Sequence, residues 1–227
     1  MCGIIAVFCS KKPSNKMKIL NSFKILKSRG PDYGKIVFNS NGVLGFQRLC
    51  INDISTGGNQ PMEEIGGAKL MCNGEIYNHS QLEKEYNIKC SSKSDCEVLL
   101  PIYKKIGFEK MVNKIDGVFA IVITDGDMVY IARDRIGVRP LYKGWTIDGD
   151  LAVASVAKCL TSFCTDVEQI PPSIVSYNKR TKDYKVKNWT FDLYLVPNPS
   201  SLIRNTLTEA VKKRLLTDRP ICCLLPS

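Results

Sequence analysis

Histidine is almost absent from this sequence: His79 is the only one in 227 residues. A Cys–His or Ser–His catalytic pair would have to use it as the base. Its surroundings favour a structural role instead, because Asn78 is a typical helix N-cap and Gln81 and Leu82 follow at helical positions. Thiol chemistry in this chain therefore calls for a base other than histidine.

The ten cysteines are not spaced as a metal site requires. No two of them form a C-x-x-C pair, and only His79 is available to complete a mixed Cys/His site, so no metal is expected. Ten cysteines in 227 residues is also well below the density of small disulfide-bonded secreted domains. We expect free thiols in a reducing compartment.

Long apolar runs are missing as well. No run approaches the ~18 residues of a membrane span, and Met1-Cys2-Gly3 leads directly into an apolar segment without the features of a signal peptide. We therefore expect a soluble, cytoplasmic protein with no membrane partner. The net charge of +10 raises the alternative of a nucleic-acid binder, but lysines are dispersed and no recognised binding module appears, so no nucleic-acid partner is expected.

Strand-like segments occur in groups, with helix-like segments between the groups. Asn41-Gly42 and Asp125-Gly126-Asp127 are hairpin connections, and Ser94-x-x-Glu97 resembles a capping box that opens a helix. A first amphipathic helix is predicted from Met17 to Leu26. The predicted strands are 3–8, 35–38, 43–46, 68–72, 118–124, 128–132, 141–145 and 151–154. This grouping predicts an α+β fold with antiparallel sheets.

The pattern changes near residue 190. Pro197-Asn198-Pro199-Ser200 is typical of a linker, and apolar residues from Leu202 to Leu215 then predict an amphipathic helix. The sequence ends in Ile221–Ser227, which we predict to be a buried strand. We expect one domain over residues 1–190, and over 191–227 a linker, a helix and the first strand of a second, incomplete domain.

Cys2 is the strongest candidate for a catalytic residue. Removal of Met1, which a small second residue permits, would give one residue both a thiol nucleophile and an α-amine. The reference pKa of the amine, ~7.7–8.0, is close enough to that of the thiol, ~8.5, for the amine to act as general base. Taken alone, a cysteine at the second position also occurs by chance.

Several further motifs occur with Cys2 in a specific order, and together they resemble the class II, N-terminal nucleophile glutamine amidotransferase domain of asparagine synthetases. The resemblance spans essentially the whole chain. The motifs are Met1-Cys2-Gly3-Ile4, Arg29-Gly30-Pro31-Asp32, Gly45-Phe46-Gln47-Arg48-Leu49, Gly58-Asn59-Gln60-Pro61, Asn73 through His79, Ser94-Asp95-x-Glu97, Asp116-Gly117-Val118-Phe119-Ala120 and Arg133-Asp134-Arg135-x-Gly137-x-x-Pro140-Leu141-Tyr142.

This resemblance implies a four-layer αββα sandwich and hydrolysis of L-glutamine to L-glutamate and ammonia through a thioester on Cys2. The family's oxyanion donors correspond to the Asn73 side chain and the Gly74 backbone N–H. Arg48 would bind the α-carboxylate of glutamine, and Glu75 and Asp95 the α-ammonium. The predicted glutamine-binding set is Arg48, Leu49, Cys50, Ile51, Asn52, Asn73, Gly74, Glu75 and Asp95. No cofactor is implied for this step.

The resemblance also has limits. The family's synthetase half begins with an S-G-G-x-D-S loop that binds ATP and magnesium, whereas this sequence ends at Leu224-Leu225-Pro226-Ser227, so we expect the ammonia to be used by a synthetase domain in trans, or within a homodimer, or released. Val156 stands where the family has Glu. Two functions therefore remain open: an active glutaminase, and a catalytically degenerate remnant that binds glutamine or a synthetase.

Overall fold

The strands form two six-stranded antiparallel sheets in the computed structural model, which describes residues 1–9, 13–40, 42–191 and 199–223. The strands are β1 (Gly3–Phe8), β2 (Tyr33–Asn39), β3 (Gly42–Arg48), β4 (Met62–Glu63), β5 (Lys69–Ile76), β6 (Gly117–Asp125), β7 (Met128–Arg133), β8 (Tyr142–Thr146), β9 (Leu151–Ala154), β10 (Cys164–Gln169), β11 (Ser173–Asn178) and β12 (Tyr184–Asn188). The first sheet has the order β10-β8-β9-β1-β3-β2, and the second β12-β11-β7-β6-β5-β4.

The helices are α1 (Lys16–Ile25), α2 (His79–Glu85), α3 (Leu99–Ile106), α4 (Phe108–Lys114) and α5 (Pro199–Lys213), and short 3-10 turns occupy Leu26–Ser28, Thr56–Gly58 and Ala157–Cys159. Helices α1 to α4 lie on the outer faces of the sheets, whereas α5 buries none of its residues. Pro101 is tolerated inside α3 because it lies in the first turn, where the backbone N–H has no partner within the helix.

Three layers of apolar side chains hold the elements together, and β1 illustrates how alternation produces them. Ile4, Ala6 and Phe8 point between the two sheets, whereas Ile5 and Val7 point outward to the layer that α1 covers. A third cluster joins the outer face of β5 and β6 to α2, α3 and α4. The predicted four-layer αββα sandwich is confirmed.

Both predicted hairpins are present, but two predicted helix caps are not. Asn39 pairs with Gly42, with Asn41 outside the described residues, and Asp125 pairs with Met128 across a two-residue turn. Glu97 does not complete a capping box; its carboxylate instead accepts hydrogen bonds from the backbone and hydroxyls of Ser91 and Ser92.

Asn78 lies at the N-cap of α2, but its side chain does not cap that helix. It donates to the Lys114 carbonyl at 2.9 Å and accepts from the Asp116 backbone N–H at 2.9 Å, which joins α2 to the segment before β6. His79 has the structural position predicted for it, with Nδ1 3.0 Å from the Ile76 carbonyl. The two long-range bonds replace the local cap.

The C-terminal region differs in part from its prediction. Pro199 begins α5 rather than ending a linker, and residues 197–198 lie outside the described part of the chain. The expected strand is absent from residues 221–223, which are exposed, and 224–227 lie outside the described residues. An apolar sequence alone does not make a strand, because a strand also needs a neighbour to pair with.

Candidate active site

The candidate site lies between the two sheets at one end of the sandwich. The N-terminus of β1, the C-terminus of β3 and the second half of β5 converge there, around a cavity of about 40 Å³. The residues that line it are Met1, Cys2, Arg48, Leu49, Ile51, Asn52, Gly58, Gln60, Cys72, Asn73, Gly74, Glu75, Ser94, Asp95, Cys96 and Arg139.

Cys2 is held against the end of β3 by contacts with one residue. The Leu49 backbone N–H is 3.4 Å from the Cys2 sulfur, and the thiol is 3.5 Å from the Leu49 carbonyl. Burial raises the pKa of the Cys2 thiol. The thiolate is therefore scarce near neutral pH, and nucleophilic attack by Cys2 requires a base.

The neighbouring backbone fixes where Cys2 sits. Arg29 Nε donates to the Cys2 carbonyl at 3.0 Å, and the Ser155 hydroxyl accepts from the Ile4 N–H at 2.9 Å. Gly30 permits this arrangement, because a Cβ there would lie 2.2 Å from the Gln47 carbonyl oxygen. The Arg-Gly-Pro-Asp motif thus supports the nucleophile without lining the cavity.

Asn73 supplies a hydrogen-bond donor that the described residues leave unused. Its side chain is 1% exposed, and Nδ2 has no partner among them. Met71, two residues earlier on the same strand face, packs in the layer between the sheets, so alternation directs Asn73 toward that layer and Cys2. A buried donor without a partner is costly, and such groups are typical of functional sites.

The Gly74 backbone N–H lies on the edge of β5 that faces away from β6. Cys72 on that edge exchanges hydrogen bonds with the Gln60 side chain, at 2.6 and 3.2 Å, and the Ile76 N–H donates to Asp95 at 2.7 Å. Because backbone groups of an antiparallel strand alternate between its two edges, the Gly74 N–H points the same way. Gly is needed here, since a Cβ would lie 2.4 Å from the Val118 carbonyl oxygen.

Arg48 is buried, and its guanidinium holds the loop that follows it. Nη1 donates to the Ser55 carbonyl at 2.7 Å and to Asn59 Oδ1 at 2.8 Å, while Nη2 donates to the carbonyls of Asn52, at 3.3 Å, and Asp53. All four terminal N–H groups therefore have acceptors within the chain. Gly58 makes room for this fork, because a Cβ there would lie 2.1 Å from Nη2.

The acidic residues of the site have different surroundings. Glu75 forms an ion pair with Arg139 at 2.7 Å, and Arg139 Nε is buried without a partner among the described residues. Asp95 is 6% exposed, and burial raises the pKa of its carboxyl group. A cation that approaches Asp95 would favour its ionised form, whereas the charge of Glu75 is already compensated by Arg139.

The structure brings together all but one of the residues predicted for the site. Cys50 is the exception: it is buried away from the cavity, its N–H donates to Asp32 at 2.8 Å and its carbonyl accepts from Arg219 at 3.0 Å. The sequence analysis missed Arg139, Cys72 and Cys96 as residues lining the cavity. Arg139 falls inside the motif from Arg133 to Tyr142, and its place in that motif is the sequence feature that could have indicated a position at the site.

All ten cysteines fall within the described residues and are free thiols in the structure. Within the described ranges, no cluster of three or more His, Cys, Asp or Glu side chains has the arrangement of a metal site. None of the described helices combines the length and apolar character needed to cross a bilayer.

The Cys2 thiol and the buried Asn73 amide donor line one cavity at the end of the αββα sandwich, an arrangement suited to nucleophilic attack on a carbonyl group. Residues 1–189 match the family model of the glutamine amidotransferase domain. The chain belongs to that family.

Curated proteins that are similar to this chain include asparagine synthetases. A probable glutamine-hydrolysing asparagine synthetase of Acanthamoeba polyphaga mimivirus is 36% identical over 99% of this chain and 47% of its own length. The nodule asparagine synthetase of Pisum sativum is 36% identical over 99% of this chain and 40% of its own. The chain thus spans less than half the length of these curated relatives.

The fold also occurs in solved structures of other enzymes. Glutamine phosphoribosylpyrophosphate amidotransferase from B. subtilis has a TM-score of 0.69 at 19% identity, covering 85% of this chain and 50% of that one. At this identity the similarity concerns the fold alone.

Proposed function

We propose that this chain, after removal of Met1, hydrolyses the side-chain amide of L-glutamine through a thioester on Cys2, and that the ammonia serves asparagine biosynthesis. The observation that carries the proposal is the buried, unpartnered Asn73 Nδ2 in the cavity that Cys2 also lines. Similarity to glutamine-hydrolysing asparagine synthetases supports the choice of substrate and pathway.

The first step is attack of the Cys2 sulfur on the side-chain carbonyl carbon of glutamine. The α-amine of Cys2, exposed by loss of Met1, accepts the thiol proton, directly or through water, and passes it to the leaving nitrogen. Ammonia leaves, and water then cleaves the thioester to release glutamate.

The oxyanion of each tetrahedral intermediate would be bound by Asn73 Nδ2 and the Gly74 N–H. These donors need no reorganisation during the reaction, because one has no partner among the described residues and the other lies on a strand edge. Arg48 and Asp95 would fix the amino-acid end of glutamine, alongside Leu49, Ile51 and Asn52, while Glu75 would hold Arg139 at the wall of the cavity. Cys50, also in the predicted binding set, does not line the cavity.

Hydrolysis by this scheme needs water and groups of the protein, without a cofactor. ATP and magnesium would serve a synthetase half, supplied by another chain or another part of a longer protein. The ten free thiols favour the cytoplasm as its location.

The test combines intact mass with glutamate release from glutamine. The chain lacking Met1 is compared with Cys2→Ala. The double variant Cys222→Ala/Cys223→Ala, which removes two exposed thiols, serves as the matched thiol control. We expect release that disappears only in Cys2→Ala. Glutamine binding without glutamate release from the chain lacking Met1 would refute the proposal and favour the degenerate remnant.

A further inference from the structure

A short segment after α5 is tied to the loop that follows Arg48. We call residues 217–219 the strap and residues 50–59 the pocket loop. The Asp218 N–H and the Thr217 hydroxyl donate to the Ile51 carbonyl at 3.0 and 3.2 Å, and Asp218 Oδ2 accepts from the Asp53 N–H at 2.9 Å. The strap therefore binds backbone groups of the pocket loop rather than its side chains.

Arg219 extends this contact to a second element. Its Nε donates to the Cys50 carbonyl at 3.0 Å, and its Nη2 donates to Asp32 at 3.1 Å. The same Asp32 oxygen accepts from the Cys50 N–H at 2.8 Å. Residues 50–53 are thus fixed on one side by the strap and by Asp32, while Ile51 and Asn52 line the cavity on the other side.

The second half of the pocket loop is not held by the strap. Ser55 and Asn59 are joined to Arg48, and Ile54 is 63% exposed. Asp53, between the halves, has a φ of 56°, in the left-handed region. The loop therefore has a half anchored by the strap and a half held by the Arg48 guanidinium and the Asp53 carboxylate.

This division matters because both halves of the pocket loop line the cavity, Ile51 and Asn52 from the anchored half and Gly58 from the other half. Glutamine that enters the cavity therefore contacts both halves of the loop. A carboxylate arriving at Arg48 would displace carbonyls from its fork, because a charge-assisted bidentate pair is stronger than bonds to neutral carbonyls.

We propose that the strap is a positioning element for glutamine: it fixes residues 50–53 as a wall of the site, which stays in place when the hydrogen-bond partners of Arg48 rearrange on binding. This inference rests on the proposed glutamine site. The chain itself orders the wall before substrate arrives, and so substrate need not supply that ordering free energy. Thr217, Asp218 and Arg219 touch neither Cys2 nor the cavity, and they act through the loop.

The test measures glutamine affinity separately from turnover. In a Cys2→Ala background, equilibrium dialysis with labelled glutamine gives Kd for the parent, Asp218→Ala/Arg219→Ala and Asp218→Asn. The amide oxygen in Asp218→Asn can still accept from the Asp53 N–H. Lys213→Ala/Arg214→Ala is the matched control, because these residues contact Asp116 and the Tyr77 ring instead of the pocket loop.

We expect Kd to rise about fivefold to tenfold in Asp218→Ala/Arg219→Ala and to stay within twofold in Asp218→Asn and in the control. In the active chain, KM should rise by the same factor with kcat within twofold. Amide hydrogen exchange over residues 50–56 should accelerate in the double variant alone, a readout that needs neither substrate nor activity.

Two results would overturn the proposal. An unchanged Kd, with faster exchange, would show that the strap orders the loop without affecting glutamine. An equal rise of Kd in the Lys213→Ala/Arg214→Ala control would show that docking of α5, rather than the strap, is what matters. Glutamine binding without hydrolysis in the active chain would contradict only the proposed function, since Kd and exchange would still report on the strap.

Discussion

Replacing Asn73 by alanine should separate catalysis from stability. The side chain is fully buried, and its Nδ2 donor has no partner among the described residues, so folding carries the desolvation cost of an unmade hydrogen bond. Such a group costs about 1–3 kcal/mol. Its removal offsets the packing lost with a small side chain, and we expect the free energy of unfolding to stay within about 1 kcal/mol of the parent.

Catalysis should respond very differently to Asn73→Ala. Loss of one preorganised oxyanion donor typically lowers kcat by about 10²–10³-fold. KM for glutamine should change much less, because the donor acts on charge that develops in the transition state. Steady-state glutamate release and urea unfolding of the same preparations measure both effects.

Asn78→Ala is the matched control for this experiment, because it removes the same kind of side-chain amide from a position where the amide is hydrogen-bonded. Its side chain makes two hydrogen bonds at 2.9 Å outside the cavity, to Lys114 and Asp116. We expect a loss of about 1–2 kcal/mol in the free energy of unfolding, with kcat within twofold. A kcat for Asn73→Ala within tenfold of the parent, or a fall explained by unfolding, would refute the oxyanion role.

Three other variants or measurements follow from the same contacts. In the chain that retains its initiator methionine, burial raises the pKa of the Cys2 thiol. Alkylation of this thiol by iodoacetamide, followed by peptide mass spectrometry, should therefore reach half its maximal rate above about pH 8.5. A lower midpoint would contradict this expectation. Burial also raises the pKa of Asp95, so any stability it contributes is present at low pH and is lost as pH rises through the folded-state pKa. Asp95→Asn, which can still accept from the Ile76 N–H, should therefore unfold at pH 7 with an equal or higher free energy than the parent, by urea titration, while KM for glutamine rises. Gly58→Ala places a Cβ 2.1 Å from Arg48 Nη2, and we expect KM to rise about tenfold as the guanidinium loses its partners; an unchanged saturation curve would show that the fork is not needed.

Local patterns in the sequence predicted the strands, and the family resemblance predicted the layers and most of the site. The apolar run of β1 and the hairpin residues at 125–127 are such local signals. The family resemblance then grouped Cys2 with Asn73 and Asp95, residues that only the fold brings to one end of the sandwich.

What the sequence did not reveal depends on long-range partners. Glu97 matches a capping pattern, but its carboxylate accepts hydrogen bonds from the Ser91 and Ser92 hydroxyls instead. Arg48 gives no sign that its donors bind carbonyls of its own loop, and residues 217–219 give none that they reach Ile51. Each of these contacts depends on the path of a loop, for which sequence periodicity contains no information.

The contacts at the amino-acid end of the cavity suggest which charges recognise glutamine. Arg48 is surrounded by neutral carbonyls and an amide oxygen, and Asp95 accepts from a neutral backbone N–H. A carboxylate and an ammonium would each form a stronger, charge-assisted bond to these residues than the dipoles do. Glu75 differs, because Arg139 already gives it a full opposite charge. We therefore expect Arg48 and Asp95 to bind the zwitterion, and Glu75 to hold Arg139 at the wall of the cavity.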